Sequence, residues 1–82
     1  VPAPSLERAF GEQLRTRRKA AGLSQLELSL RADLHWTYIS QLERGLKSPS
    51  LGVLFALAGA LATRPSEMVQ AVEASIGNIR FS

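Results

Sequence analysis

The sequence contains no cysteine and a single histidine, His35. Without thiols there is neither a disulfide framework nor a thiolate metal site, and one imidazole does not make a zinc centre by itself. No metal and no cofactor is therefore expected. No apolar run approaches the roughly 20 residues needed to span a bilayer, and Arg64 and Glu67 end the longest one. The opening Val1-Pro2-Ala3-Pro4 lacks the basic start and apolar core of a signal peptide. A cytoplasmic protein without membrane contact is the expectation. Alternation at period two is missing and β-branched residues are scarce, so no strand is expected. No Ser, His and Asp grouping stands free for nucleophilic catalysis, and there is no glycine-rich phosphate loop. Pairs such as Glu7 with Glu12, or Glu67 with Glu73, read more simply as solvated helix faces. An enzyme is not expected.

What is present is enough for one small all-α domain spanning residues 1–82. Its 82 residues are 45% hydrophobic, which supports one core of modest stability. The net charge is +3. Its distribution is more telling than its size. Arg15, Arg17, Arg18 and Lys19 form one run and Arg44 and Lys47 follow, whereas Glu67 and Glu73 lie in the last third. A basic amino half suits a polyanionic partner; an ordinary solvated helix end is the plainer alternative.

Apolar spacing divides the chain into five helices. Leu6, Phe10 and Leu14 recur every four residues with Ala9 beside them, giving a helix from about Ser5 to Ala21 that Gly22 stops. Ser24 and Glu27 are spaced as a capping box and start a second helix, on which Leu28 and Ala32 point inward and small Ser29 permits a close approach to the third. Asp33-Leu34-His35 makes the turn. The third helix runs from about Trp36 to Arg44, with Ile39 and Leu42 as its inner face, and Gly45 ends it. Ser50 is placed to cap a fourth helix whose inner stripe is Leu51, Leu54, Leu57, Ala58 and Leu61; Val53, Phe55 and Ala60 make it apolar most of the way round. Pro65 suits the first turn of a fifth, carrying Met68, Val69 and Val72. Residues 73–82 lead into a tail with a Gly-Asn break.

Residues 24–45 are the most informative part. Two short helices joined by a tight turn, the second opening on side chains suited to base edges, have the layout that lays one helix in the major groove of DNA. The motifs Leu14-Arg-x-x-Arg18, Gly22-Leu-Ser-Gln25, Leu34-His-x-Thr-Tyr-Ile-Ser40, Glu43-Arg-Gly45 and Pro49-Ser-Leu51 occur in order. Together they resemble the lambda-repressor-like (XRE) helix-turn-helix family, over about Leu6 to Val72. The likeness is greatest to its small stand-alone regulators, which include restriction-modification controller proteins. Asp33 stands where the family often has glycine, a substitution its tolerance of left-handed geometry permits at some cost. Trp36 stands where relatives are often polar or basic. Leu26 and Leu30 stand where relatives are usually polar, and mark either a contact surface or a site covered by the amino-terminal lead.

The resemblance implies roles. Gln25 matches a phosphate donor at the start of the second helix, where a helix N-terminus already favours an anion. Arg18 and Glu43 match an ion pair tying the first helix to the end of the third. Arg44 and Lys47 are expected to reach phosphates, with Arg17 a weaker candidate. Trp36, Thr37, Ser40 and Gln41 form the expected base-reading face; Gln41 suits adenine and the Thr37 methyl suits a thymine methyl. Trp36 either packs on DNA or is covered by the protein. Tyr38 either places its hydroxyl on a phosphate or packs its ring on the fourth helix.

The expected function is a transcriptional regulator that binds a pseudo-palindromic operator as a homodimer. The fourth and fifth helices with the tail offer Val69, Val72, Ile76 and Ile79 as dimer surface, unless these are covered within one subunit. The alternative is an antitoxin that binds a toxin partner and represses its own promoter. Activation would add RNA polymerase as a partner. The chain begins on Val1, which leaves trimming from a longer protein open.

Overall fold

The computed structural model describes residues 5–77. They form five helices and, among the described residues, no strand: α1 (Leu6–Ala20), α2 (Gln25–Ala32), α3 (Trp36–Glu43), α4 (Leu51–Ala60) and α5 (Pro65–Ile76). Each start has a local cause. The Ser5, Ser24 and Ser50 hydroxyls accept from the amides of Arg8, Glu27 and Val53, and at α2 the Glu27 carboxylate completes the capping box. Pro65 opens α5 as expected. The third cap was not anticipated. His35 Nδ1 accepts from the Thr37 amide at 3.1 Å, so the lone histidine starts α3.

The stops share one geometry. A residue one or two positions past the end of α1, α2, α3 and α4 turns left-handed, and two successive amides return to carbonyls of the last turn. Gly22 and Gly45 serve after α1 and α3, Asp33 (φ 56°) serves after α2, and Ala62 (φ 54°) serves after α4. The Asp33 turn was legible in the sequence; the Ala62 turn was not.

All five helices feed one core. Its largest fully buried side chains are Leu14 from α1, Leu28 from α2, Ile39 and Leu42 from α3, Leu57 from α4 and Met68 from α5. Each contributes about 1.5–3 kcal/mol over leaving it exposed. Helix α1 packs on α3 and α5, α2 on α3 and α4, and α4 on α5. The α1–α3 crossing is close: a Cβ on Gly11 would lie 2.4 Å from the Leu42 carbonyl oxygen.

Two expectations are corrected. Leu51 is exposed rather than inward, because it is the first residue of α4 and shares a solvated end with Ser50 and Gly52. Val72 belongs to the core, at 6% exposure, whereas Val69 is 53% exposed. The inner row of α5 is Met68, Val72 and the partly buried Ile76, spaced by four, and it leaves Val69 outside.

Candidate nucleic-acid interface

The outward face of α3 is built by what its inward face must do. Ile39 and Leu42 are fully buried, which fixes the rotation of the helix. Trp36 and Thr37 are thereby left exposed and Ser40 and Gln41 half-buried, with Arg44 following as an exposed C-cap. Trp36 is 53% exposed, so the described residues do not cover it. Arg44 Nε lies 3.4 Å from the Ser40 carbonyl oxygen, leaving most of its donors unengaged by that contact.

One carboxylate holds the start of α2 and the end of α3 together. Glu43 Oε2 accepts from Arg18 Nε at 2.6 Å, and Glu43 Oε1 accepts from Arg18 Nη2 at 3.0 Å. Arg18 Nη1 donates to the Leu23 carbonyl at 2.9 Å, just before α2. Gln25 Nε2 donates to Glu43 Oε1 at 3.1 Å. The ion pair is buried, with side-chain exposures of 10% for Arg18 and 3% for Glu43. The Glu43 hydrogen bonds push the Arg18 guanidinium above its ordinary value, against the opposing effect of burial. The expected Arg18–Glu43 pair is therefore present, and Gln25 joins it.

The remaining predicted residues divide. Lys47 is exposed, with its ammonium 5.8 Å from the centre of the Tyr38 ring, and that ring is half-buried against the core. Arg17 lies apart from this group: it donates to Gln13 Oε1 at 2.8 Å and to Thr63 Oγ1 at 3.2 Å, and Gln13 in turn donates to the Met68 carbonyl. Arg17 thus straps α1 to the α4–α5 connection. Leu26 and Leu30 are exposed on α2. Ile79 lies outside the described residues. No group of three or more His, Cys, Asp or Glu is placed to hold a metal among the described residues, and no helix there is long and apolar enough to cross a membrane.

Comparison with known proteins follows the same boundaries. A family model described as helix-turn-helix matches residues 14–68. The control protein C.BamHI of Bacillus amyloliquefaciens is 36% identical over 70 residues, which are 84% of each chain. The crystal structure of the restriction-modification controller protein C.AhdI from Aeromonas hydrophila superposes with a TM-score of 0.74 at 39% identity, covering 76% of this chain and 94% of that one. The clp gene regulator ClgR from C. glutamicum superposes with a TM-score of 0.85 at 30% identity, covering 94% and 99%. Other regulators that match are longer: the chain spans 26% of one and 41% of another. With the match running from Leu14 on α1 to Met68 on α5, and the outward face of α3 at its centre, the chain belongs to the XRE-type helix-turn-helix family of DNA-binding transcriptional regulators.

Proposed function

We propose that this chain regulates transcription by binding a pseudo-palindromic operator as a homodimer, with α3 in the major groove. The observation that carries the reading is the outward row Trp36, Thr37, Ser40, Gln41 on a helix whose rotation is locked by buried Ile39 and Leu42. Thr37, Ser40 and Gln41 read base edges, each good contact supplying ~1–3 kcal/mol of discrimination. Trp36, at the first position of α3, packs on base or sugar edges. Gln25, Arg44 and Lys47 clamp phosphates around that row, with Tyr38 supporting Lys47 from below. Arg17 is left out of the clamp because Gln13 and Thr63 already engage it.

A two-fold dimer would set two reading helices about 34–36 Å apart, one turn of DNA. The controller proteins among the relatives support the regulatory reading: the chain and C.BamHI cover 84% of each other. The reading takes the protein as a cytoplasmic one with no catalytic role of its own.

Selection of bound sites from a randomised duplex library, with the best site retested across salt, tests the proposal. The expected result is an enriched two-fold symmetric site, with half-site preferences that change on substitution of Thr37, Ser40 or Gln41. Salt-sensitive binding with no enriched sequence would leave only the electrostatic attraction and overturn it.

A further inference from the structure

We infer that Glu43 is a positioning residue for DNA: it fixes the side-chain amide of Gln25 so that its nitrogen, and not its oxygen, is available to a phosphate at the start of α2. The inference rests on the reading of Gln25 as a phosphate donor given above.

The chemistry is set by what a buried carboxylate accepts. A glutamine amide has a donating end and an accepting end, and a free side chain presents either. Glu43 is an acceptor only, and its Oε1 lies 3.1 Å from the Gln25 amide nitrogen. The flipped amide would set an oxygen against a carboxylate oxygen, so that orientation is closed. Nitrogen held in this way spends one of its two hydrogens on Glu43 and keeps the other. Gln25 is the first residue of α2. The capping box occupies the Ser24 and Glu27 amides. The Gln25 and Leu26 amides, in the first turn, have no partner from within the helix. The retained side-chain hydrogen therefore belongs to a residue that already carries donors for an anion.

Arg18 completes the arrangement. A lone carboxylate beside a phosphate site would repel the phosphate, but Arg18 makes two hydrogen bonds to Glu43 and neutralises it. The same guanidinium holds the Leu23 carbonyl, which fixes the backbone leading into Gln25. Arg18 thus supplies the charge, Glu43 the orientation and Gln25 the contact.

The test uses the whole chain and the operator obtained by selection. Each backbone phosphate is replaced in turn by an uncharged methylphosphonate, and affinities are measured for wild type, Q25A and E43Q. One position per half-site is expected to cost wild type about tenfold, the scale of one hydrogen bond to a charged group. Q25A is expected to bind about tenfold more weakly and to be indifferent at that position. E43Q has one acceptor oxygen where Glu43 has two. It is expected to copy Q25A there, while keeping the responses at other phosphates and the base-pair preferences. E43Q that stays as sensitive as wild type at that position, or that weakens evenly at every position, overturns the inference. If wild type shows no position to which Q25A is indifferent, the phosphate reading of Gln25 itself fails, a different pattern from a failure of Glu43 alone. Should E43Q not fold, the wild-type protein still answers by NMR. The Gln25 side-chain amide, identified by its loss in Q25A, is expected to show slowed exchange and contacts to Glu43 in the free protein. A freely rotating amide would refute the positioning.

Discussion

At the scale of the residue, two positions carry the same backbone geometry with different side chains. Asp33 and Ala62 both adopt left-handed conformations, at φ 56° and 54°, to stop α2 and α4. Asp tolerates that region through local hydrogen bonding of its short polar side chain; alanine has no such relief, and its Cβ crowds the following carbonyl at a cost of roughly 1–2 kcal/mol. Glycine at 62 removes the crowding and adds roughly 0.4–1 kcal/mol of unfolded-chain entropy to be lost. Ala62→Gly is therefore expected to stabilise the fold by about 1 kcal/mol or somewhat less, raising the melting temperature by roughly 4–8 °C per kcal/mol in a domain this small. Asp33→Gly should gain less. A thermal melt of both variants checks the order, and an Ala62→Gly protein that melts lower than wild type would mean that the turn is not strained.

At the scale of the element, the start of α2 and the crossing of α1 over α3 make separate demands. The Ser24 backbone amide, and then the Ser24 side chain, hold the Glu27 carboxyl below its ordinary value of 4.5. A depressed carboxyl contributes stability that is present above its unfolded value and lost as pH falls through the lower folded one. E27Q keeps a capping side chain but loses the charge. Wild type should therefore melt above E27Q at pH 6, with the gap closing on acidification below about 4.5; a gap unchanged at pH 3 would refute a role for the charge. Gly11 at the crossing and Gly59 near the end of α4 give opposite expectations. A Cβ at Gly11 meets two backbone carbonyl oxygens of α3, at 2.4 and 2.8 Å, while one at Gly59 meets nothing within 4 Å. Gly59→Ala should gain about 1 kcal/mol from helix propensity. Gly11→Ala should lose about 1 kcal/mol or more despite that gain, because α1 must lift from α3. Denaturant unfolding of the two variants measures both signs. These cases mark what was readable. The capping box, the Ser50 cap, Pro65 and the Asp33 turn are local, and the sequence displays them. The Gly11 crossing joins residues far apart in the chain and leaves no periodic signal. The His35 cap is missed because histidine is not among the usual capping residues. Arg18 and Glu43, 25 positions apart, were paired through family resemblance and not through spacing. The participation of Gln25 needed the structure.

At the scale of the whole molecule, the question is which apolar surface remains after one chain has folded. Sequence reading names Val69 and Val72 together as apolar residues of α5, and packing separates them. Val72 fills the core, while Val69 stands outside with exposed Leu6 on α1 and Leu51 and Phe55 on α4. Val69 also lines a shallow groove of about 160 Å³ with Leu6, Phe10, Pro49 and Leu54. Exposed apolar residues scattered singly are ordinary, but a groove edged by exposed Leu6 and Val69 over core Phe10 and Leu54 suits burial against a second copy. The two valines therefore test the proposed dimer by different failures. Val69→Asp places a charge on an exposed position; the helical spectrum and melting of the monomer should stay close to wild type. The dimer should weaken, because the same charge meets an apolar partner surface without a counter-ion. Val72→Asp buries that charge inside the chain and should unfold it. Sedimentation velocity with circular dichroism on the same samples distinguishes these outcomes. A folded Val69→Asp monomer that binds one half-site as wild type does, but loses the advantage of the full operator, is the expected result. A folded Val69→Asp protein that still sediments as a dimer would move the interface off this face of α1, α4 and α5.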